Sequence, residues 1–279
     1  MVERAAAASA AGLDSLFVGD HHVTGSPYYQ NSPVLGRVLA EWGDRPAGAL
    51  YLLPLWHPVL LAEQVGTLAS IARGRFILQC GLGEGEAQFA GMGATLRTRG
   101  STFEASLNVV RRLLEGECVD ADEPVPIRGA QIGPLPSEPV DVWIGASAPA
   151  AIDRAGRLGD GWLAGPNLTL QQAGAQIDLY RQRCLEHGRG VGVTAIRRDV
   201  HVAKSASEAN RVATPIIEAG YRGFTPEALA VGSVDDVVEA FARLGELGYT
   251  DVIVRHLAED QGEVLASFEC LAEVRRALA

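Results

Sequence analysis

The sequence predicts an α/β fold of the TIM (β/α)₈-barrel type, on two observations. Short apolar segments alternate with amphipathic segments along the whole length of 279 residues, as strands and helices do in a parallel sheet. The strand-like segments are continuously apolar, which is typical of parallel strands buried on both faces. This length is normal for one barrel, so residues 1–279 are predicted to form a single domain.

Seven strands are predicted from short runs rich in β-branched or aromatic residues. A complete barrel has eight strands, and a predicted helix at about 2–11 precedes the first strand here. The sequence therefore predicts a barrel that lacks its first strand and has a free sheet edge on each side of the gap. The predicted strands are 15–19, 47–53, 75–80, 141–144, 161–164, 197–203 and 251–255.

Apolar residues at helical spacing predict helices between the strands. Thr169 with Gln172 has the pattern of a capping box, and Ser233 can cap another helix. The predicted helices are 58–72, 101–115, 170–187, 234–247 and 261–278.

The segment 117–140 has a different composition, because it holds five prolines and shows no clean periodicity. This pattern predicts a long excursion over the surface of the barrel. A linker between two domains is the alternative.

The composition excludes several classes of protein. Hydrophobic residues make up 47% of the chain and charged residues 21%, which excludes a disordered chain. A net charge of −10 favours neither nucleic acid nor an anionic membrane as a partner. No apolar run approaches the length of a membrane span, and the four cysteines are scattered without a C-x-x-C pair. These features predict a cytoplasmic protein that acts on a small molecule.

In a barrel the chemistry lies where strands end, and polar residues follow the first predicted strand. Asp20, His21 and His22 stand there, and a carboxylate beside an imidazole can act as an acid/base pair. His21 with Asp20 is the predicted catalytic pair. A polar loop with a partly buried histidine is the structural alternative.

Glycine-rich turns follow three further strands. Gly81, Leu82, Gly83 and Glu84 come after 75–80, where glycines let the backbone approach a flat ligand and Glu84 can accept a proton. The dinucleotide fingerprint is absent, because Glu86 occupies the position of its last glycine. The other two turns contain Gly145, Ala146 and Ser147, which open a helix with free N–H groups, and Gly165. An ordinary turn without a ligand is the alternative for each.

The six histidines do not form a metal-binding motif. Neither H-E-x-x-H nor an H-x-H motif at the first strand end occurs. We therefore predict no metal site, and a metal-dependent hydrolase on the same fold is a weak alternative.

Several segments occur together in an order that is informative, although none is specific alone. They are AGLDSLFVGDHH (11–22), the run 52–93, RGSTFEASLNVVRRLLEGE (99–117), VDVWIGASAPAAIDRAGRLGDGWLAGPN (140–167) and VGSVDDVVEAFARLGELGYTDVIV (231–254). With them the chain resembles the bacterial luciferase-like flavin-dependent oxidoreductases. Members of that family normally begin with a strand ahead of the first helix, and this sequence departs from them there.

The resemblance implies a barrel that binds coenzyme F420 or FMN. It places a proton-transferring histidine at His21 with Asp20 beside it, and a second turn at Gly81, Gly83 and Glu84. It also places Gly145, Ala146 and Ser147 near the side chain or phosphate of the cofactor. We expect hydride transfer between F420 and a small organic substrate. An FMN-dependent monooxygenase and a non-catalytic flavin-binding relative are the alternatives.

Two further expectations concern the edge strands and the strand 47–53. The resemblance implies a cis peptide bond at Ala49–Leu50 that backs the cofactor ring, whereas a regular strand is the alternative. The free sheet edges predict a homodimer, because unpaired strands favour association.

Overall fold

The computed structural model describes all 279 residues and contains ten α-helices and ten β-strands. The helices are α1 (Val2–Ala10), α2 (Asn31–Val38), α3 (Pro58–Ile71), α4 (Glu86–Gly91), α5 (Arg99–Leu114), α6 (Pro149–Leu158), α7 (Leu170–Glu186), α8 (Ala206–Glu218), α9 (Val234–Leu247) and α10 (Gln261–Ala277). The strands are β1 (Leu16–Val18), β2 (Ala47–Leu52), β3 (Phe76–Gly81), β4 (Val119–Ala121), β5 (Ile127–Ala130), β6 (Asp141–Gly145), β7 (Gly161–Ala164), β8 (Val193–Val202), β9 (Ala230–Gly232) and β10 (Asp251–His256). None of the helices is long and apolar enough to cross a membrane.

Residues 14–142 form one compact unit around a parallel sheet. Strand β2 lies between β1 and β3 and pairs with both in an uninterrupted register. Helix α3 covers one face of this sheet and buries Leu61 and Val65 completely. Its sequence explains the helix, because Pro58 stands at the first position, where no N–H is needed.

Residues 1–13 and 143–279 form the second unit. There β6, β7, β8 and β10 are parallel neighbours in that order, and β9 pairs with the last residues of β8. Strand β10 pairs with β8 alone in this unit, so it is an edge strand, and Val252, Ile253 and Val254 are only half-buried. Thr169 with Gln172 and Ser233 with Asp236 form capping boxes at the starts of α7 and α9.

The α/β organisation with parallel strands is as predicted, and a strand occurs at each of the seven expected positions. Strand β8 starts earlier than expected, at Val193, and β9 was not predicted. Helices α2, α4 and α8 were also not predicted. Helix α2 contains Pro33 and Gly36, helix α8 contains Pro215, and helix α4 has only six residues.

The segment 117–140 contains regular structure that its composition did not predict. Strands β4 and β5 form an antiparallel hairpin with an irregular register, and the carbonyl of Leu135 accepts a hydrogen bond from the hydroxyl of Ser70 on α3. A side chain at Gly66 would collide with the carbonyl oxygen of Pro134, 2.6 Å from its Cβ position. The excursion therefore lies against α3.

The expected cis peptide bond at Ala49–Leu50 is wrong. The cis bonds of the chain precede Pro124 and Pro134. Strand β2 pairs in continuous register with β1 at residues 47–49 and with β3 along its whole length, and a non-proline cis bond within it would cost about 3–4 kcal/mol.

Candidate active site

Asp20 stands just after β1 and has a fully buried carboxylate. This carboxylate accepts hydrogen bonds from the last residue of β2 and from a tryptophan four residues further along the chain. Its Oδ2 accepts hydrogen bonds from the backbone N–H of Leu52 at 2.9 Å and from the indole Nε1 of Trp56 at 2.8 Å. The side chain of Asp20 has 0% of its surface exposed. The carboxylate thus ties the end of β1 to the end of β2.

The imidazole that faces Asp20 belongs to His22, and His21 points elsewhere. The Nε2 of His22 lies 3.2 Å from Oδ1 of Asp20, and 10% of the His22 side chain is exposed. The contact lacks the alignment of a hydrogen bond, so both buried atoms remain without a hydrogen-bond partner. His21 is exposed and meets the ring of Tyr28 edge-on at 5.6 Å. The sequence placed His21 beside Asp20, and the structure places His22 there.

A chain of hydrogen bonds joins this loop to the turn after β3. The backbone N–H of His22 donates to Oε1 of Gln88, and Nε2 of Gln88 donates to the carbonyl of Glu84. Glu84 is itself exposed. Gln88, which the sequence analysis did not select, therefore links the backbone of His22 to the predicted residue Glu84.

Leu50 and Ala49 lie on opposite faces of β2, because successive side chains alternate along a strand. Ala49 is completely buried, whereas Leu50 is half-buried. Opposite Leu50 in the register is Gln79 of β3, a buried amide whose Nε2 has no hydrogen-bond partner. Gln79 was missed, although it is the one polar side chain in the run FILQC.

The start of α2 closes the other side of β2. The side-chain amide of Asn31 donates to the carbonyl of Leu50 at 2.7 Å, and the hydroxyls of Ser32 and Tyr51 lie 2.9 Å apart. Burial raises the pKa of Tyr51 to about 12, so its phenol remains protonated. No sequence signal marked Asn31 or Tyr51.

The turn after β3 is shaped by its glycines. Gly83 has a φ of +71°, which favours glycine strongly over any other residue. Gly81, Leu82 and Gly83 are all half-buried, so backbone and side chain are accessible from solvent along the turn.

In the second unit the predicted residues after β6 and β7 come together. A Cβ at Gly165 would lie 2.8 Å from the hydroxyl of Ser147, and the N–H of Ala146 donates to the carbonyl of Leu163. The carbonyl of Ala146 also accepts a bond from the indole of Trp162, while Gly145 ends β6. Helix α6 follows without a side-chain cap. Pro149 at its start has no N–H and the N–H of Ala151 donates to the carbonyl of Ala148, so in the first turn only the N–H of Ala150 is available to an anion.

No group of three or more histidine, cysteine, aspartate or glutamate side chains could hold a metal ion.

The predicted site residues fall into two sets, one at the exits of β1, β2 and β3 and one at the exits of β6 and β7.

Comparison with curated proteins finds relatives that are named for coenzyme F420. An F420-dependent glucose-6-phosphate dehydrogenase of Nakamurella multipartita is 27% identical, over 96% of this chain and 89% of the relative. The enzyme of that name from Mycobacterium avium is 31% identical, over 66% of this chain and 56% of the relative. The latter match spans little more than half of the relative's length.

Solved structures share the fold at lower identity. The monooxygenase RslO1 of Streptomyces bottropensis superposes with a TM-score of 0.84 at 17% identity, over 100% of this chain and 94% of that one. The FMN complex of the oxygenating constituent of 3,6-diketocamphane monooxygenase from Pseudomonas putida superposes with a TM-score of 0.78 at 18% identity, over 98% of this chain and 90% of that one. The family model described as luciferase-like monooxygenase matches residues 1–263. The chain belongs to this luciferase-like family of F420- or FMN-dependent oxidoreductases.

Proposed function

We propose that this protein transfers a hydride between coenzyme F420 and a small organic substrate. The observation that carries the proposal is the buried Asp20 at the exit of β1, which binds the end of β2 and faces an imidazole. This contact network fixes the loop after β1, so that its exposed histidine, His21, stands at a strand exit, where proton transfer beside a cofactor takes place in such folds. Relatives named as F420-dependent dehydrogenases support F420 as the cofactor.

The residues of the first unit fit the ring of a flavin-type cofactor. Such a ring carries carbonyl oxygens and an apolar face, and the unpartnered Nε2 of Gln79 beside the half-buried Leu50 offers a donor and an apolar contact. When bound, the deazaflavin supplies the ring carbon that gives or receives the hydride. Gly81, Leu82 and Gly83 would approach the ring with their backbone, with Glu84 at the rim.

The remaining roles follow from position. His21 is exposed at the same strand exit and is proposed to move the proton at its ring nitrogen. Asp20 would hold the loop that presents it, and Ala49 would support Leu50 from the far face of β2. Gly145, Ala146, Ser147 and Gly165 would hold the side chain or phosphate of the cofactor at the uncapped start of α6.

An FMN-dependent monooxygenase is the second candidate. The fold is shared with an FMN-binding monooxygenase, and the cis bond that would have favoured F420 is absent. A non-catalytic flavin-binding protein is the third.

We further propose that the strands form the family's (β/α)₈-type barrel as one domain. The half-buried edge strand β10 supports a homodimer.

None of the four cysteines is in a disulfide, which fits a cytoplasmic location.

The test is equilibrium binding of F420 and of FMN to the purified protein, followed by absorbance and fluorescence. We expect saturable F420 binding in the micromolar range and weaker binding of FMN. The variant Gln79→Leu should weaken F420 binding several-fold, whereas Gln182→Leu on the surface of α7 should not. Tighter binding of FMN would favour the monooxygenase, and binding of neither cofactor would overturn the proposal.

A further inference from the structure

A second fully buried carboxylate, Asp199, lies near the end of β8 in the unit formed by 1–13 and 143–279. Its Oδ1 accepts a hydrogen bond from Nε of Arg197 at 2.9 Å, and its Oδ2 accepts one from the hydroxyl of Tyr221 at 2.8 Å. The Nε of Arg222 stands 4.0 Å from Oδ2. Asp199 has 0% of its side chain exposed, whereas Arg197 and Arg222 have 26% and 41%.

A third guanidinium belongs to the same group. Arg255 of β10 stands opposite Asp199 in the parallel register and is exposed. Its guanidinium group makes neither a hydrogen bond nor an ion pair within the chain. Burial lowers the pKa of Arg197, the charge of Asp199 opposes that change, and the positive charges of Arg222 and Arg255 lower it further. The guanidinium group of Arg197 is therefore near enough to those of Arg222 and Arg255 to be repelled by both.

The charges of this group do not balance. Three arginines surround one carboxylate, although the chain as a whole carries a net charge of −10. Other arginines of the chain have a carboxylate of their own, as Arg243 has Glu239 and Arg37 has Glu41. Like charges that are partly withdrawn from water repel more strongly than in solvent. An anion that binds here would relieve this repulsion.

The position of the group is one where α/β proteins bind ligands. Asp199 lies three residues before the end of β8, and Arg255 is the last residue but one of β10. Ligands of parallel sheets bind at the carboxyl ends of the strands. Tyr221 and Arg222 come from the loop after α8, and the φ of +50° at Arg222 is uncommon for a residue with a side chain.

We propose that Arg197, Arg222 and Arg255 bind an oxyanion, a carboxylate or phosphate, of the substrate. Guanidinium groups suit this chemistry because they bind such groups through paired N–H donors. Asp199 and Tyr221 are positioning residues that hold Arg197. That the oxyanion belongs to a redox substrate rests on the proposed function, whereas the anion site does not.

Titration of inorganic phosphate into the cofactor-free protein, followed by calorimetry, tests the site. We expect saturable binding that weakens about tenfold in Arg255→Gln and in Arg222→Gln, and that Arg255→Lys partly retains. Arg243→Gln is the matched control and should bind as the wild type does, with circular dichroism verifying that each variant is folded. Absence of saturable phosphate binding, or equal weakening by Arg243→Gln, would overturn the site.

The same titration at saturating F420 separates substrate from cofactor as the source of the oxyanion. We expect the affinity for phosphate to be unchanged. Displacement of phosphate by F420 would assign the arginines to the acidic tail of the cofactor and contradict the proposal. Since the first titration needs neither cofactor nor turnover, failure of F420 to bind would contradict only the proposed function.

Discussion

Two fully buried aspartates stand near strand ends in this protein, and their surroundings differ. Asp20 accepts hydrogen bonds from two neutral donors, a backbone N–H and an indole, and faces the imidazole of His22. Asp199 is bound by a guanidinium and a phenol, and a second guanidinium lies within 4.0 Å. No arginine or lysine forms an ion pair with the first carboxylate, whereas the second has two guanidinium groups within 4.0 Å.

This difference suggests two separate tasks. A buried carboxylate anchored by neutral donors suits the positioning of the loop that carries His21, the proposed proton carrier. A carboxylate that holds arginines suits anion binding, since it fixes their geometry without cancelling their charge. Changes around Asp20 should therefore alter kcat, and changes around Asp199 should alter substrate affinity.

The largest effect is expected from His21→Asn. If His21 moves the proton, kcat should fall by roughly 10² to 10⁴, while F420 binding changes by no more than a few-fold. Steady-state kinetics and F420 titration measure the two quantities.

His22→Asn is the matched control for that variant. Its imidazole is largely buried against Asp20, so we expect a smaller loss of kcat than in His21→Asn. A larger loss would transfer the proton-moving role to His22.

The second prediction compares the two aspartates by stability. Asp199→Ala should lower the free energy of unfolding by about 3–5 kcal/mol, because it leaves clustered positive charge without its carboxylate. Asp20→Ala leaves two neutral donors unpaired and should cost less, about 1–3 kcal/mol in total, because an unpaired neutral donor costs less than an unpaired charge. Urea unfolding at neutral pH measures both, and the reverse order would break the comparison.

The third prediction concerns acid, because β8 and β10 also carry two buried or half-buried histidines. Burial lowers the pKa of His256 to about 4, with His201 and Arg4 contributing repulsion. Burial also lowers the pKa of His201, against the opposing charge of Glu263 and with the repulsion of Arg211. The ring of Phe268 packs edge-on to His256 at 4.5 Å.

A lowered histidine pKa means that the folded state favours the neutral ring. The stability it contributes is complete above pH 6.5 and is lost as the pH falls toward 4, on the order of 3 kcal/mol for His256. Urea unfolding between pH 7.5 and 4.5 should show this loss in the wild type and less of it in His256→Leu. The exposed His57, replaced by Leu, serves as the control, and an equal pH dependence in all three proteins would contradict the assignment.

The sequence predicted the strands and the loops that carry the site better than it predicted the contacts. Periodicity and caps located α9 and β3, because burial of an apolar face fixes such elements locally. The sequence analysis did not identify His22 as the partner of Asp20. Neighbouring residues of an extended chain point to opposite sides, whereas residues two apart share a side. The same alternation places Arg197 and Asp199 on one face of β8, and charged residues within a strand were the signal that could have revealed them.

The smallest effect isolates the hydrogen bond between Trp56 and Asp20. Trp56→Phe removes the indole donor but keeps an aromatic ring against Tyr51 and His22, which lie 5.2 and 5.6 Å away between ring centres. Asp20→Asn removes the charge of the acceptor.

Because each change also alters packing, neither single variant measures the energy of the hydrogen bond. The two single variants and the double variant form a cycle in which those side effects cancel. Hydrogen bonds to charged groups contribute about 1.5–3 kcal/mol, and Asn retains a weaker acceptor, so we expect a coupling energy of about 1–2 kcal/mol from urea unfolding. Strictly additive losses of stability would mean that the Asp20 carboxylate gains no stability from the indole hydrogen bond. Neutral hydrogen-bond donors would then not distinguish Asp20 from Asp199.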